Sequence, residues 1–145
     1  ELQTAVHPDG WRVAQGFQGP ENHLGEDWND IGGGSSDVGH PVIAAARGEV
    51  IYADNAGPRW NGVVVLRHRY LGDGDVFDAG GDVFSFYGHL NINPAATRTD
   101  GSRIRTLAET LQKSAPGRSV EVEKGQFIGY IGPQSEGSTS THMKF

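Results

Sequence analysis

One short loop of the chain brings together two residue types that bind metal ions. The loop reads His23-Leu24-Gly25-Glu26-Asp27, with an imidazole and a carboxylate four residues apart. Imidazole nitrogen and carboxylate oxygen are both good zinc ligands, at ~2.0–2.2 Å from the ion. This spacing lets His23 and Asp27 converge on one ion, and the same residues also fit an ordinary polar turn.

Two further histidines stand next to segments with strand character. His89 ends an apolar stretch in Tyr87-Gly88-His89-Leu90, where a strand end can hold it rigidly beside a cleft. His142 follows a loop of small residues and begins His142-Met143-Lys144-Phe145. Because side chains alternate along a strand, positions 142 and 144 are expected on the same face. The last strand is therefore expected to bring two groups to one site.

Short strands are the elements that must position these residues. Strand patterns, with β-branched runs, alternation and bounding glycines, cover residues 42–46, 49–53, 62–69, 82–90 and 125–132. The first two of these segments flank Arg47-Gly48 and predict two strands around a tight turn. The sequence thus predicts a mainly β, antiparallel domain.

One helix and two insertions interrupt this β pattern. Residues 102–113 have apolar side chains at helical spacing, with Ser102 as the expected cap. The helix lies in a predicted insertion over residues 93–118, and a second insertion covers 71–81. We expect a single domain over residues 1–145, irregular over 1–20, with regular structure from Pro41 onward.

Composition excludes several classes of function. The 145 residues contain 22 Gly, 7 Pro and no Cys, and the formal net charge is −6. The absence of Cys removes thiol catalysis and cysteine-based zinc sites. Negative net charge disfavours nucleic acid and anionic membranes as partners, and no segment approaches the ~20 apolar residues of a membrane span.

In this order, the motifs resemble the lysostaphin-type, or LytM-like, zinc metalloendopeptidases that hydrolyse peptidoglycan. That family has an H-x-G-x-D loop, G-x-P-V-x-A-x-x-x-G-x-V, a strand ending V-x-x-x-H, then Y-x-H-L, G-Q-x-I-G-x-x-G and H-x-H. The corresponding segments of this chain, in the same order, are residues 23–27, 39–50, 64–68, 87–90 and 125–132. At the last motif the chain has His142-Met143-Lys144. The resemblance covers roughly residues 15–145.

The resemblance implies a fold and a set of roles. The fold would be an antiparallel β-sandwich or barrel-sandwich hybrid with an open groove over the sheet. His23 and Asp27 match two zinc ligands, and His89 and His142 match the histidines that handle protons, while His68 matches a supporting histidine. The groove walls would include Tyr87 and the loops at 55–61 and 133–141. Tyr87 and Asn61 are the expected substrate contacts, with Asn55 and Trp60 as further candidates, although residues 55–61 also fit an ordinary solvated loop.

Position 144 departs from the family pattern. The third ligand should be the second histidine of H-x-H, and here it is Lys144. A lysine ammonium has three donors and no lone pair, so it does not bind zinc while charged. Two ligands rarely hold zinc, and Glu26 is a conceivable substitute for the third.

Three functional hypotheses follow from these residues. The first is a zinc endopeptidase that cuts peptide cross-links of bacterial peptidoglycan, in the cell envelope or outside the cell. The second is a non-catalytic module that binds peptidoglycan or regulates a partner cell-wall hydrolase. The third is a purely structural β domain in which the histidines are coincidental.

Overall fold

Alternating and β-branched segments form most of the regular structure. The computed structural model describes residues 10–18, 23, 25–69, 81–111, 120–133 and 143–144. Within these residues it contains nine strands and one helix. They are β1 (Trp11–Gln15), β2 (Asp27–Asp30), β3 (Pro41–Ile43), β4 (Gly48–Asn55), β5 (Gly62–Arg69), β6 (Asp82–Leu90), α1 (Leu107–Thr110), β7 (Val120–Val122), β8 (Phe127–Tyr130) and β9 (Met143–Lys144).

The strands form three sheets in which every pairing is antiparallel. Their strand orders are β1-β2-β9, β3-β8 and β6-β5-β4-β7, and none closes into a barrel among the described strands. The predicted mainly β, antiparallel class is therefore confirmed. No helix in the described parts of the chain is long and apolar enough to cross a membrane.

The core lies between the four-stranded sheet and the β3–β8 pair. Alternate residues of β5 and β6 face it, because side chains alternate across a strand. Leu107 of α1 closes one end. The largest fully buried side chains are Val64, Leu66, Tyr87, Leu90, Ile104, Val122, Ile128 and Ile131, together with the polar Asn91 and Asp37.

The long strands lie where the sequence patterns predict them, whereas the chain before Pro41 differs from its prediction. Strands β5 and β6 cover the predicted 62–69 and 82–90. Our prediction of irregular structure before Pro41 is wrong, because β1 and β2 lie there. Strand β2 reads Asp-Trp-Asn-Asp, a poor β sequence that is stabilised by pairing with β1 and β9 on either side.

The predicted turn at Arg47-Gly48 does not join a hairpin. Strand β3 pairs with β8, whereas β4 pairs with β5 and β7. The chain between β3 and β4 therefore crosses from one sheet to another. Pairing partners depend on the whole core, and a local turn signal does not specify them.

The helix is shorter than its apolar spacing predicts. It begins at Leu107, with Thr106 rather than Ser102 as its N-cap, and Thr106 and Glu109 form a capping box. Residues 97–105 form an irregular loop instead, closed by a bridge between Thr97 and Arg103. Residues 112–119, which complete the predicted 102–113 helix and the 93–118 insertion, and residues 70–80 of the other insertion lie outside the described residues.

Candidate functional site

The structure brings His23 and Asp27 together. His23 Nε2 lies 3.2 Å from Asp27 Oδ1, and the two side chains are only 10% and 9% exposed. Asp27 begins β2, where its backbone pairs with Gln15 on one side and Lys144 on the other. The carboxylate is thus fixed by a strand, and the imidazole reaches it from the preceding loop.

The other ring nitrogen of His23, Nδ1, has a hydrogen-bond partner of its own. His23 Nδ1 lies 3.3 Å from the carbonyl oxygen of Gly16. Since a carbonyl oxygen only accepts, this hydrogen bond assigns the proton to Nδ1. In the neutral ring, the lone pair of Nε2 faces the carboxylate oxygen of Asp27. These two electron-rich atoms attract each other only when a proton or a cation lies between them. The pair therefore holds either a shared proton or a bound cation between the two atoms.

The spacing of the two atoms fits part of a zinc site. Two ligand atoms at ~2.0–2.1 Å from a tetrahedral zinc ion are about 3.3 Å apart, close to the 3.2 Å found here. Catalytic zinc sites have three protein ligands. Among the residues that the structure describes, no group of three or more His, Asp or Glu side chains is arranged to hold a metal ion. The same distance is that of an ordinary hydrogen-bonded pair, so zinc binding by His23 and Asp27 stays a prediction.

Position 144, where the family motif has a histidine, pairs with Asp27 in the sheet. In the β2–β9 pair, Lys144 is the register partner of Asp27 and Met143 that of Trp28. Strand β9 also runs beside β6, the strand that carries His89. The topology therefore puts position 144 between Asp27 and the strand of His89. His142 lies outside the described residues, so its proton-handling role stays a prediction.

Glu26, the conceivable substitute ligand, is occupied elsewhere. Its Oε2 accepts a hydrogen bond of 3.2 Å from the indole Nε1 of Trp28. Residues 26 and 28 flank Asp27, and in an extended chain they lie on the face opposite to it. The Glu26 carboxylate thus points to Trp28 and not to the His23–Asp27 pair.

His89 is held in an unusual backbone conformation at the end of β6. Its φ of 58° lies in the left-handed region, which costs a non-glycine residue about 1–3 kcal/mol. Its N–H donates to the carbonyl of Trp60 at 2.9 Å, and its carbonyl accepts from the N–H of Gly132 at 2.8 Å. Two loops from different sheets therefore hold the His89 backbone against its own preference.

Trp60 supports the His89 ring as well as its backbone. The two rings stack with centroids 5.9 Å apart and planes inclined by 26°, while Phe86 meets the indole edge-on at 5.2 Å. Gly88 leaves the room for this packing, because a Cβ there would lie 3.2 Å from the Phe86 ring and 3.3 Å from the indole. The sequence suggested Trp60 as a substrate contact or as part of a solvated loop. Its support of His89 depends on a contact distant in sequence that no local pattern reveals.

Tyr87 and Asn61, the two expected substrate contacts, both form hydrogen bonds within the protein. Tyr87 is fully buried, and its hydroxyl accepts a hydrogen bond of 2.9 Å from the Ala45 N–H. Because its side chain is fully buried, Tyr87 has no exposed surface that could line a groove. Asn61 is half-buried in the β4–β5 loop with φ 53°, and its Nδ2 donates to the Pro133 carbonyl at 3.4 Å. Asn61 therefore ties this loop to the chain after β8, and substrate contact by either residue stays a prediction.

His68 belongs to a chain of hydrogen bonds away from His23 and Asp27. Its Nδ1 lies 2.7 Å from the carbonyl of Arg47, and its Nε2 lies 2.8 Å from Ser85 Oγ. The Ser85 hydroxyl is in turn 3.2 Å from the Tyr87 hydroxyl. Because a carbonyl oxygen only accepts, the Nδ1–H of His68 donates to Arg47. These bonds give His68 a structural place, and its role in the family site stays a prediction.

Comparisons of the chain with protein-family models, with curated proteins and with solved structures find no match. The resemblance to the lysostaphin-type family therefore stays a prediction from the ordered sequence motifs.

Proposed function

We propose that this chain is a lysostaphin-type domain directed at the peptide cross-links of bacterial peptidoglycan, with a zinc site that lacks one ligand. The observation that carries the proposal is the His23–Asp27 pair, 3.2 Å apart, with Lys144 in register opposite Asp27. These are the three ligand positions of the family motifs. The LytM-like sandwich hybrid, as the detailed form of the fold, and a location in the cell envelope or outside the cell are parts of the same proposal.

Lysine at position 144 is the reason to propose binding without ordinary hydrolysis. An ammonium group has no lone pair for a metal, and its positive charge at the position paired with Asp27 opposes the binding of a dication. With His23 and Asp27 as the remaining ligands, zinc is held too weakly for a lasting site. The chain would then bind cross-link peptides, alone or beside a partner cell-wall hydrolase, without cutting them.

A second candidate, a working zinc endopeptidase, is favoured by one specific observation. His89 keeps a left-handed backbone that two loops must enforce, and strained residues of this kind cluster at functional sites. Its position matches a proton-handling histidine of the family. In this candidate zinc polarises the scissile carbonyl and acidifies water, a group other than Lys144 completes the site, and His89 and His142 exchange protons with the substrate.

One set of variants separates the two candidates. Wild type, Lys144→His and the double variant Lys144→His/Asp27→Ala are incubated with purified peptidoglycan and with soluble cross-linked peptides of the pentaglycine and direct types. Co-sedimentation measures binding, and new amino groups measure cleavage. The proposal predicts that all three co-sediment and that zinc-dependent cleavage occurs in Lys144→His alone.

Two results would change this conclusion. Zinc-dependent cleavage by the wild type at the rate of Lys144→His would establish the endopeptidase instead. If no variant binds or cleaves either substrate while all remain folded, peptidoglycan is not the target and the family proposal fails.

A further inference from the structure

A concave site lies away from the His23–Asp27 pair and shares no residue with it. It is an open pocket of about 520 Å³ between the loop at 36–41, the loop at 98–105 and strand β8. This volume lies within the ~300–1,000 Å³ of small-molecule sites. Two arginines, Arg98 and Arg105, and two aromatic residues, Phe127 and Tyr130, contribute to its lining.

Arg98 is built into this pocket by its neighbours. Its Nε donates to the Gly39 carbonyl at 3.2 Å, and its Nη1 donates to the Arg103 carbonyl at 3.2 Å. Gly39 leaves space for it, because a Cβ there would lie 2.7 Å from Arg98 Cγ. The guanidinium carbon lies 4.9 Å from the centroid of the Tyr130 ring. Its Nη1 also lies 3.4 Å from Ser102 Oγ, so the guanidinium group is fixed beside the Tyr130 ring.

Arg105 lies against the same aromatic pair. Its guanidinium carbon is 5.6 Å from the Tyr130 centroid and 5.5 Å from that of Phe127, and its Nη2 donates to the Tyr130 hydroxyl at 3.2 Å. This hydrogen bond, with the charges of Arg105 and Arg98, lowers the pKa of Tyr130 below its usual value of 10.0. The positive potential of the two arginines thus reaches the pocket wall.

The charges of these two arginines are not balanced by ion pairs. Arg47, Arg67 and Arg103 each pair with a carboxylate, whereas Arg98 and Arg105 form no ion pair with any carboxylate of the described residues. Asp100 also lines the pocket; its carboxylate accepts the N–H of Ser102 at 2.8 Å, and the hydrogen bonds from Ser102 together with the charge of Arg98 lower its pKa. The two guanidinium groups outnumber this one carboxylate in the pocket lining, in a chain of net charge −6.

We propose that the Arg98–Arg105–Tyr130 pocket binds an oxyanion, either a phosphate or a carboxylate group carried by a larger ligand. Guanidinium groups match both anions through paired N–H donors, and the aromatic faces give the attached part of the ligand an apolar surface. The inference does not depend on the proposed function, because no residue is shared between the two sites.

Side-chain NMR of the intact chain tests this inference. The ¹⁵N–¹H signals of the arginine Nε groups and the ¹³Cζ signal of Tyr130 are followed during titration with sodium phosphate and, separately, with sodium acetate, at constant ionic strength set by sodium chloride. The proposal predicts saturable shifts of Arg98, Arg105 and Tyr130, and a rise of the Tyr130 pKa toward its usual value. The anion that binds more tightly identifies the group.

Matched variants separate a built site from general charge attraction. Arg105→Gln removes a guanidinium that makes no bond to the backbone, and it should weaken anion binding by about tenfold or more. Arg47→Gln makes the same charge change on the exposed surface and should leave binding unchanged. Tyr130→Phe keeps the ring and frees the Arg105 donor, so binding should persist. Equal shifts with chloride alone, or equal affinity in Arg105→Gln and wild type, would overturn the proposal.

Discussion

Replacing Asn91 should destabilise the protein far more than replacing a nearby asparagine. Asn91 follows β6 and is fully buried. Its Nδ2 contacts the carbonyls of Asn93, Ile104 and Arg105 at 3.2 Å each, and its Oδ1 accepts the Asn93 N–H at 3.1 Å. One side chain thus fastens both ends of the loop over residues 93–105 to the sheet. Asn91→Ala removes all of these bonds.

The size of the effect follows from the bonds that are lost. The amide supplies two N–H donors and one acceptor, and each net hydrogen bond contributes about 1 kcal/mol to stability. The bond to Ile104 is wholly buried, so that carbonyl is left without a partner when the amide is removed. We expect a loss of about 3 kcal/mol in the free energy of unfolding, which corresponds to about 10 °C in Tm for a domain of this size.

Chemical denaturation and thermal melting measure this loss against a matched control. Asn93→Ala removes an exposed side chain whose one bond is to the Ala95 N–H at 2.9 Å, and it should cost less than about 1 kcal/mol. Hydrogen exchange should also become faster over residues 93–106 in Asn91→Ala. If Asn91→Ala and Asn93→Ala have the same stability, Asn91 does not fasten this loop and the reasoning is refuted.

Three further predictions concern single side chains. Tyr87→Phe should lose about 1–2 kcal/mol of stability, because the Ala45 N–H loses its acceptor; an unchanged denaturation midpoint would contradict the structural role of this hydroxyl. Gly62→Ala should lose about 1–3 kcal/mol, since its Cβ would lie 2.7 Å from a carbonyl oxygen of β6, whereas Gly81→Ala meets nothing within 4 Å and should be neutral. The pKa of Glu109 is lowered to about 2, chiefly by its arginine partner. The stabilisation by the charged form is therefore present above the usual pKa of 4.5 and is lost as pH falls to about 2. In melting curves recorded at a series of pH values, the Glu109→Gln variant should not show this loss of stability. Identical pH profiles for the wild type and the variant would refute the prediction.

The parts of the fold that could be predicted are those whose signal is local and strong. Strand β5 is a run of β-branched residues with one buried face, so its pattern alone identifies it over 62–69. Strand β2 has no such pattern and depends on its neighbours, so no single-segment argument finds it. The helix shows an intermediate case, because the apolar spacing over 102–113 was overridden by the capping box at Thr106 and Glu109, a signal that was present in the sequence.

The candidate site likewise has contacts that the sequence predicts and contacts that it does not. The convergence of His23 and Asp27 follows from their four-residue spacing, and the structure has them 3.2 Å apart. The stacking of Trp60 on His89 joins residues 29 positions apart, and it depends on Gly88 and on where the β4–β5 loop ends. Such a contact is a property of the assembled sheets. The pairing of Asp27 with position 144 is similarly long-range, and only the family motifs pointed to it.

Zinc content per chain tests the central claim most directly. Wild type, Lys144→His and Lys144→His/Asp27→Ala are purified without chelator, equilibrated with equal zinc, desalted and measured by elemental mass spectrometry, with circular dichroism as the check on folding. A site that lacks one ligand predicts zinc near zero in the wild type, near one in Lys144→His and near zero again in the double variant. A wild type that already holds one zinc ion lost on Asp27→Ala, or a folded Lys144→His that holds none, would contradict the account.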